Sequence, residues 1–150
     1  MQEILGNEIL WSVLAALCSA QVLKVVTVFI SEGKLDAKRL KGTGGMPSSH
    51  SSSVTALATS VGFQEGFGST EFSIAVVLAF VVMYDAVGIR QAAGRHAERL
   101  NMLSDQLAEI ADTFKDGFEP EKLKTLLGHT LPQVFFGALL GIGISLLFYL

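Results

Sequence analysis

Charge is what this sequence has least of. Only 17% of its 150 residues are charged, against about a quarter in an ordinary soluble domain. The shortfall comes from long runs with almost no charge, and that pattern points to a membrane chain. Cysteine is nearly absent as well. A lone Cys18 excludes an intramolecular disulfide framework, and its apolar surroundings predict a packing role. Basic residues are missing near the N-terminus, where Glu3 and Glu8 stand instead, so no cleavable signal peptide is expected. The net charge of −3 is small, and no nucleic-acid partner is expected.

Half of the residues are hydrophobic, and they come in runs. Residues 4 to 30, "ILGNEILWSVLAALCSAQVLKVVTVFI", are interrupted only by Asn7, Glu8, Gln21 and Lys24. About 20 residues at ~1.5 Å each cross the hydrocarbon core, so this is a first spanning helix. Residues 31 to 46 are polar and glycine-rich, hence a loop. From Ser48 to about Gly62, "SSHSSSVTALATSVG" predicts a helix that opens polar and turns apolar. It is short for a span and rich in hydroxyls, which suits the inside of a bundle better than lipid. A second loop covers 63 to 71, and "FSIAVVLAFVVMYDAVGI", 72 to 89, is the clearest span. Between 94 and 115, Leu100, Leu103, Leu107, Ile110 and Phe114 recur at helical spacing opposite a charged face, predicting a surface helix. Residues 131 to 150 form the last span, where Gly137 and Gly141 make a small-xxx-small pair and suggest a homodimer. The expectation is one domain over 1–150. It is an all-α polytopic membrane bundle of about four membrane-embedded helices plus one peripheral amphipathic helix.

All 11 Lys and Arg residues lie in the first or third connection, or near a helix end leading there. Under the positive-inside rule both connections are cytoplasmic and both termini lie outside. That topology gathers Lys24, the Gly-Pro-Ser-Ser-His stretch, Asp85, Arg90 and the Gly128-His129-Thr130 block at one membrane face. Two helices begin there, and their free N–H groups and dipoles favour an anion. Lys24, Arg39 and Arg90 add donors suited to phosphate. His50 and His129 can serve as nucleophile and general acid near neutral pH. An anion cradle with two imidazoles describes a phosphate-ester hydrolase working through a phosphohistidine, and its place at a membrane implies a lipid phosphate substrate.

"GGMPSSHSSSV", "YDAVGIRQAAGRHAERLN" and "LGHTLPQVFFGALLGI" resemble the divergent branch of the type 2 phosphatidic acid phosphatase superfamily, which is related to vanadium-dependent haloperoxidases. The resemblance covers nearly the whole chain. It implies a helical enzyme that needs no metal or other cofactor and removes phosphate from lipid phosphates. It further implies that Ser48 and Ser49 bind phosphate, His50 is the general acid and base, and His129 is the nucleophile. Ser49 stands where the superfamily has glycine. Leu123 stands where it has an arginine, a gap that Arg90 is the candidate to fill. Gln133 stands where it has a carboxylate, so either Gln133 or Asp85 is expected to orient the nucleophile.

Plainer roles exist for several of these groups. Serines at a helix start are ordinary caps. Lys24 can snorkel to the interface, Asp85 and Arg90 can form a structural ion pair, and His96 reads as solvated. Lys34, Lys38 and Lys41 read as topology determinants that contact anionic membrane lipids. Two other functions fit less of the pattern. Asp85, Gly88, Arg90, Gly94 and Glu98 loosely resemble the signature of metal-dependent CDP-alcohol phosphotransferases, with only one aspartate in the stretch. A non-catalytic membrane scaffold would account for Gln133 and Leu123.

Overall fold

A computed structural model of the chain describes residues 5–33, 45–113, 121–125 and 127–150. Every regular element among them is a helix: α1 (Glu8–Glu32), α2 (Ser49–Glu65), α3 (Thr70–Val87), α4 (Ile89–Thr113) and α5 (Leu131–Tyr149). The residue types at the starts explain the boundaries. Asn7, Ser48 and Ser69 sit in extended conformation and accept the N–H groups of Leu10, Ser51 and Phe72, which supplies partners the first turn lacks. Thr130 precedes α5, with Pro132 in its first turn, where a missing N–H costs nothing.

Helices α1, α2, α3 and α5 run antiparallel in turn, with α2 in the middle of the other three. The far end is fixed by Ser12 of α1 bonding Ser60 of α2, and by Tyr149 of α5 stacking on Phe63 of α2. The opposite end carries Lys24, Ser49, Arg90 and His129. Three stretches are long and apolar enough to cross a membrane: Glu8–Ile30, Thr70–Ile110 and Leu131–Tyr149. Helix α2, expected to be the fourth embedded segment, is not among them; it has 17 residues and is enclosed by its neighbours.

The interior inverts the pattern of a soluble protein. The largest fully buried side chains are Ser12, Ser48, Ser51, Ser52, Ser60 and Ser145, and the buried apolar residues are alanines and valines. Large apolar groups face outward: Ile74, Phe80, Tyr84 and Leu147 are 63%, 67%, 74% and 79% exposed. In water this arrangement would leave no driving force for folding. In lipid, helices associate through close backbone packing and hydroxyl bonds between them, and both are present. Ser60 bridges Ser12 of α1 and Ser145 of α5. Ser52 Oγ donates to the Ala16 carbonyl at 3.1 Å, and Thr55 Oγ1 to the Ala138 carbonyl at 3.1 Å. Gly137 and Gly141 lie against Ser48 and Ser52 of α2.

Three expectations change. The amphipathic helix starts at Ile89, not 94, because Gly88 alone separates it from α3. The Gln-Ala-Ala stretch at 91 to 93 favours helix and continues it. The Gly137/Gly141 pair, read as a seam for a second copy, packs inside the chain against α2. Cys18, expected in the packing, is exposed on α1.

Candidate active site

At the site end, α2 begins with a capped turn. Ser48 is fully buried, and its hydroxyl accepts from the N–H and hydroxyl of Ser51. It was expected to bind phosphate; its oxygen is engaged as a helix cap. Ser49 Oγ accepts from Lys24 Nζ at 3.2 Å. Lys24 is 3% exposed, and that neutral hydroxyl is its hydrogen-bond partner among the described residues. A buried lysine with a neutral partner lacks the counter-charge that burial of a cation calls for. Gly45, just before this turn, has positive φ and lies beside the Lys24 side chain. Arg39, expected to hold phosphate, lies outside the described residues, as do Lys34, Lys38 and Lys41.

His129 reaches this place by a route the sequence does not announce. Helix α4 carries the segment that leads to it. Asn101 accepts from the Leu123 N–H and donates to the Leu123 carbonyl, both at 2.9 Å, a side chain standing in for a strand partner. Lys122 pairs with Asp105 one turn on. Gly94 admits the carbonyls of Thr125 and Leu127. Gly128 has φ +86°, and a Cβ there would lie 2.5 Å from the Gln91 nitrogen, so both conformation and space require glycine. The His129 N–H then donates to the Ala86 carbonyl at 2.9 Å, near the end of α3. Asn101, Gly94 and Gly128 are positioning residues, and Asn101 was missed in the sequence because its paired amide geometry exists only after folding. Asn101→Ala removes two hydrogen bonds worth about 1 kcal/mol each. It is expected to speed hydrogen exchange at Leu123 and His129 while leaving the α1–α2–α5 core protected. Unchanged exchange at both amides would show that the segment is held by other contacts.

The imidazoles of His50 and His129 face each other edge to face with centroids 6.1 Å apart, though 79 positions separate them. His129 is buried and His50 exposed. Gln133 explains the state of His129. Its Oε1 accepts the Thr130 N–H at 3.0 Å and lies 3.2 Å from His129 Nδ1. Because the backbone N–H fixes the oxygen on that side, Nδ1 must donate, and Nε2 keeps its lone pair. Burial pushes the His129 pKa below the usual histidine value. The Gln133 bond opposes that shift, and the charges of Lys24, His50 and Arg90 reinforce it. Asp85, the other candidate to orient the imidazole, is paired instead with Arg90 at 2.5 Å. His96 is exposed, as expected. Among the described residues no group of three or more His, Cys, Asp or Glu could hold a metal ion.

Fold and site together define an integral membrane protein with two histidines and two basic side chains gathered at one end of an all-helical bundle. The chain belongs to the divergent PAP2 family, whose family model matches residues 5–144. It is 44% identical over 150 residues to an uncharacterized membrane protein, YuiD, of Bacillus subtilis (strain 168), covering 96% of this chain and 95% of that one. No solved structure matches.

Proposed function

We propose that this protein is a lipid-phosphate phosphatase working through a phosphohistidine. The observation that carries the reading is the buried Lys24, whose hydrogen-bond partner among the described residues is a neutral hydroxyl, beside two facing imidazoles. A phosphate monoester supplies the missing negative charge. Its equatorial oxygens are held by Lys24, Ser49, Arg90 and the N–H groups of Ser49 and His50 in the first turn of α2.

In the first step Nε2 of His129 attacks phosphorus, the P–O ester bond breaks, and His50 protonates the departing alkoxide. In the second, His50 takes a proton from water, which attacks the phosphohistidine, frees phosphate and restores His129. In-line attack needs the two imidazoles on opposite sides of phosphorus, one at the phosphorus and the other at the leaving oxygen, and the rings face each other with centroids 6.1 Å apart. Gln133 holds the tautomer that attack needs, although an amide stabilises the resulting imidazolium less than a carboxylate would. Phosphatidic acid, phosphatidylglycerophosphate and isoprenyl phosphates all present the required group. The distribution of basic residues favours a site on the cytoplasmic face with both termini outside.

Purified protein incubated with these lipids is expected to release phosphate, and EDTA is expected to leave the rate unchanged. Release that EDTA abolishes would favour the metal-dependent phosphotransferase reading. No release from any of them would favour the scaffold.

A further inference from the structure

The bundle has a lateral opening that the chemistry above does not use. Helices α3 and α5 meet only sparsely, each packing mainly on α2. Between them lies a groove of about 260 Å³, floored by Thr55 and Thr59 of α2 and walled by Val76, Ala79 and Met83 of α3 and Ile142 of α5. The hydroxyl of Thr55 is engaged by the Ala138 and Ser51 carbonyls, which leaves an apolar floor.

The two ends of the groove differ. At the far end Phe67 lies over Gly62, where a Cβ would come within 2.5 Å of its ring. Phe67 also packs edge to face on Phe63 and Phe72, with centroids 5.4 and 5.2 Å apart. Phe63 in turn stacks on Tyr149 of α5. These rings tie α2, α3 and α5 together and close that end. At the site end, Met83 stands three positions before Ala86, whose carbonyl holds His129. Thr55 stands five positions after His50, a rise of about 7.5 Å. Along α3, Phe72 to Met83 spans about 16 Å, close to half of the ~30 Å hydrocarbon core and so to one leaflet.

We propose that this groove takes a hydrocarbon chain of the phosphate ester held between His50 and His129, and that the Phe63–Phe67–Phe72 cluster sets the longest chain it accommodates. The inference rests on the phosphatase reading of the site. A helix from a second copy does not fit. A helix about 10 Å across and as long as the groove occupies roughly 1,200 Å³, several times the space present. A single alkyl chain suits the length and the apolar lining, and the end of the groove at Thr55 and Met83 is the one toward the imidazoles.

The test uses the full chain in lipid nanodiscs and a series of monoalkyl phosphates. Binding is read by displacement of a fluorescent long-chain alkyl phosphate, with phosphate release measured in parallel. For wild type, affinity is expected to rise about fourfold per methylene while the groove fills, since each buried CH₂ contributes about 0.8 kcal/mol, and then to level off. Phe67→Ala, at an exposed position, moves the plateau to longer chains, and Thr59→Phe moves it to shorter ones. Inorganic phosphate competes equally with all three proteins. Should Thr59→Phe fail to fold, Phe67→Ala decides alone. Affinity that climbs with chain length identically in wild type and variants reflects partition into the bilayer and overturns the proposal. A plateau that moves as expected without phosphate release keeps the groove as a lipid-chain site and removes the hydrolase reading instead.

Discussion

His129→Ala is expected to lower phosphate release by roughly 10³-fold or more, because loss of a nucleophile leaves only binding and charge stabilisation to act. The backbone N–H of residue 129 still donates to Ala86 in the variant, so the protein folds and the loss falls on kcat. Under the proposed mechanism the same residue is expected to set the acid limb of the rate. With its pKa held down by burial and by the charges of Lys24, His50 and Arg90, His129 is neutral and nucleophilic down to a pH below about 6.5. The rate therefore falls on acidification with a midpoint below that value. Arg90→Gln removes one of the charges that oppose protonation and must move the midpoint upward. Gln133→Leu removes the one contact that favours the proton and must move it downward. A midpoint that moved the same way in both variants would refute the electrostatic account. A His129→Ala protein that released phosphate at the wild-type rate would remove the nucleophile from the mechanism.

How much of this could be read in the sequence depends on the scale of the cause. The spans were legible because lipid imposes a length and a polarity that about 20 consecutive residues must satisfy. The caps at Asn7 and Ser69 lie inside stretches read as span and loop, whereas the start of α2 was legible in Ser48, since capping is decided within four residues. The extent of α4 was not, because Gly88 and Gly94 resemble loop residues until the backbones they admit are in place. The residues gathered at the site end could be listed from topology alone; their division of labour could not. Ser48 looks the same in the sequence whether it caps α2 or binds a ligand. Asp85 and Gln133 were equal candidates until one was seen paired with Arg90 and the other within reach of His129. Nothing local in Asn101 marks it as the partner of Leu123, 22 positions away.

The second large effect is expected where no chemistry takes place. Gly141→Ala and Gly143→Ala make the same substitution on the same helix, two positions apart, and replacing glycine in a helix interior stabilises by up to about 1 kcal/mol when space allows. At Gly143 nothing lies within 4 Å of the added methyl group, so that variant should be as stable as wild type or slightly more so. At Gly141 the methyl would overlap the Ser52 carbonyl oxygen and Thr55 Oγ1. The first belongs to the backbone of α2, and the second is held by the Ala138 carbonyl. Neither can move aside without separating α2 from α5. Overpacking of this kind costs about 3 kcal/mol or more, a fall of roughly 10 °C in the thermal midpoint for a chain of this size. The separation also reaches the site. Ser48 N–H is bonded to the Gln133 carbonyl at 3.0 Å, the link between the start of α2, which carries His50, and the start of α5, which orients His129. A protein that folds with its two helices forced apart should therefore bind alkyl chains less tightly and turn over slowly, although every catalytic side chain is intact. If Gly141→Ala matched Gly143→Ala in both stability and rate, the helices would have slack at this crossing, and close packing could not be what holds the two histidines together.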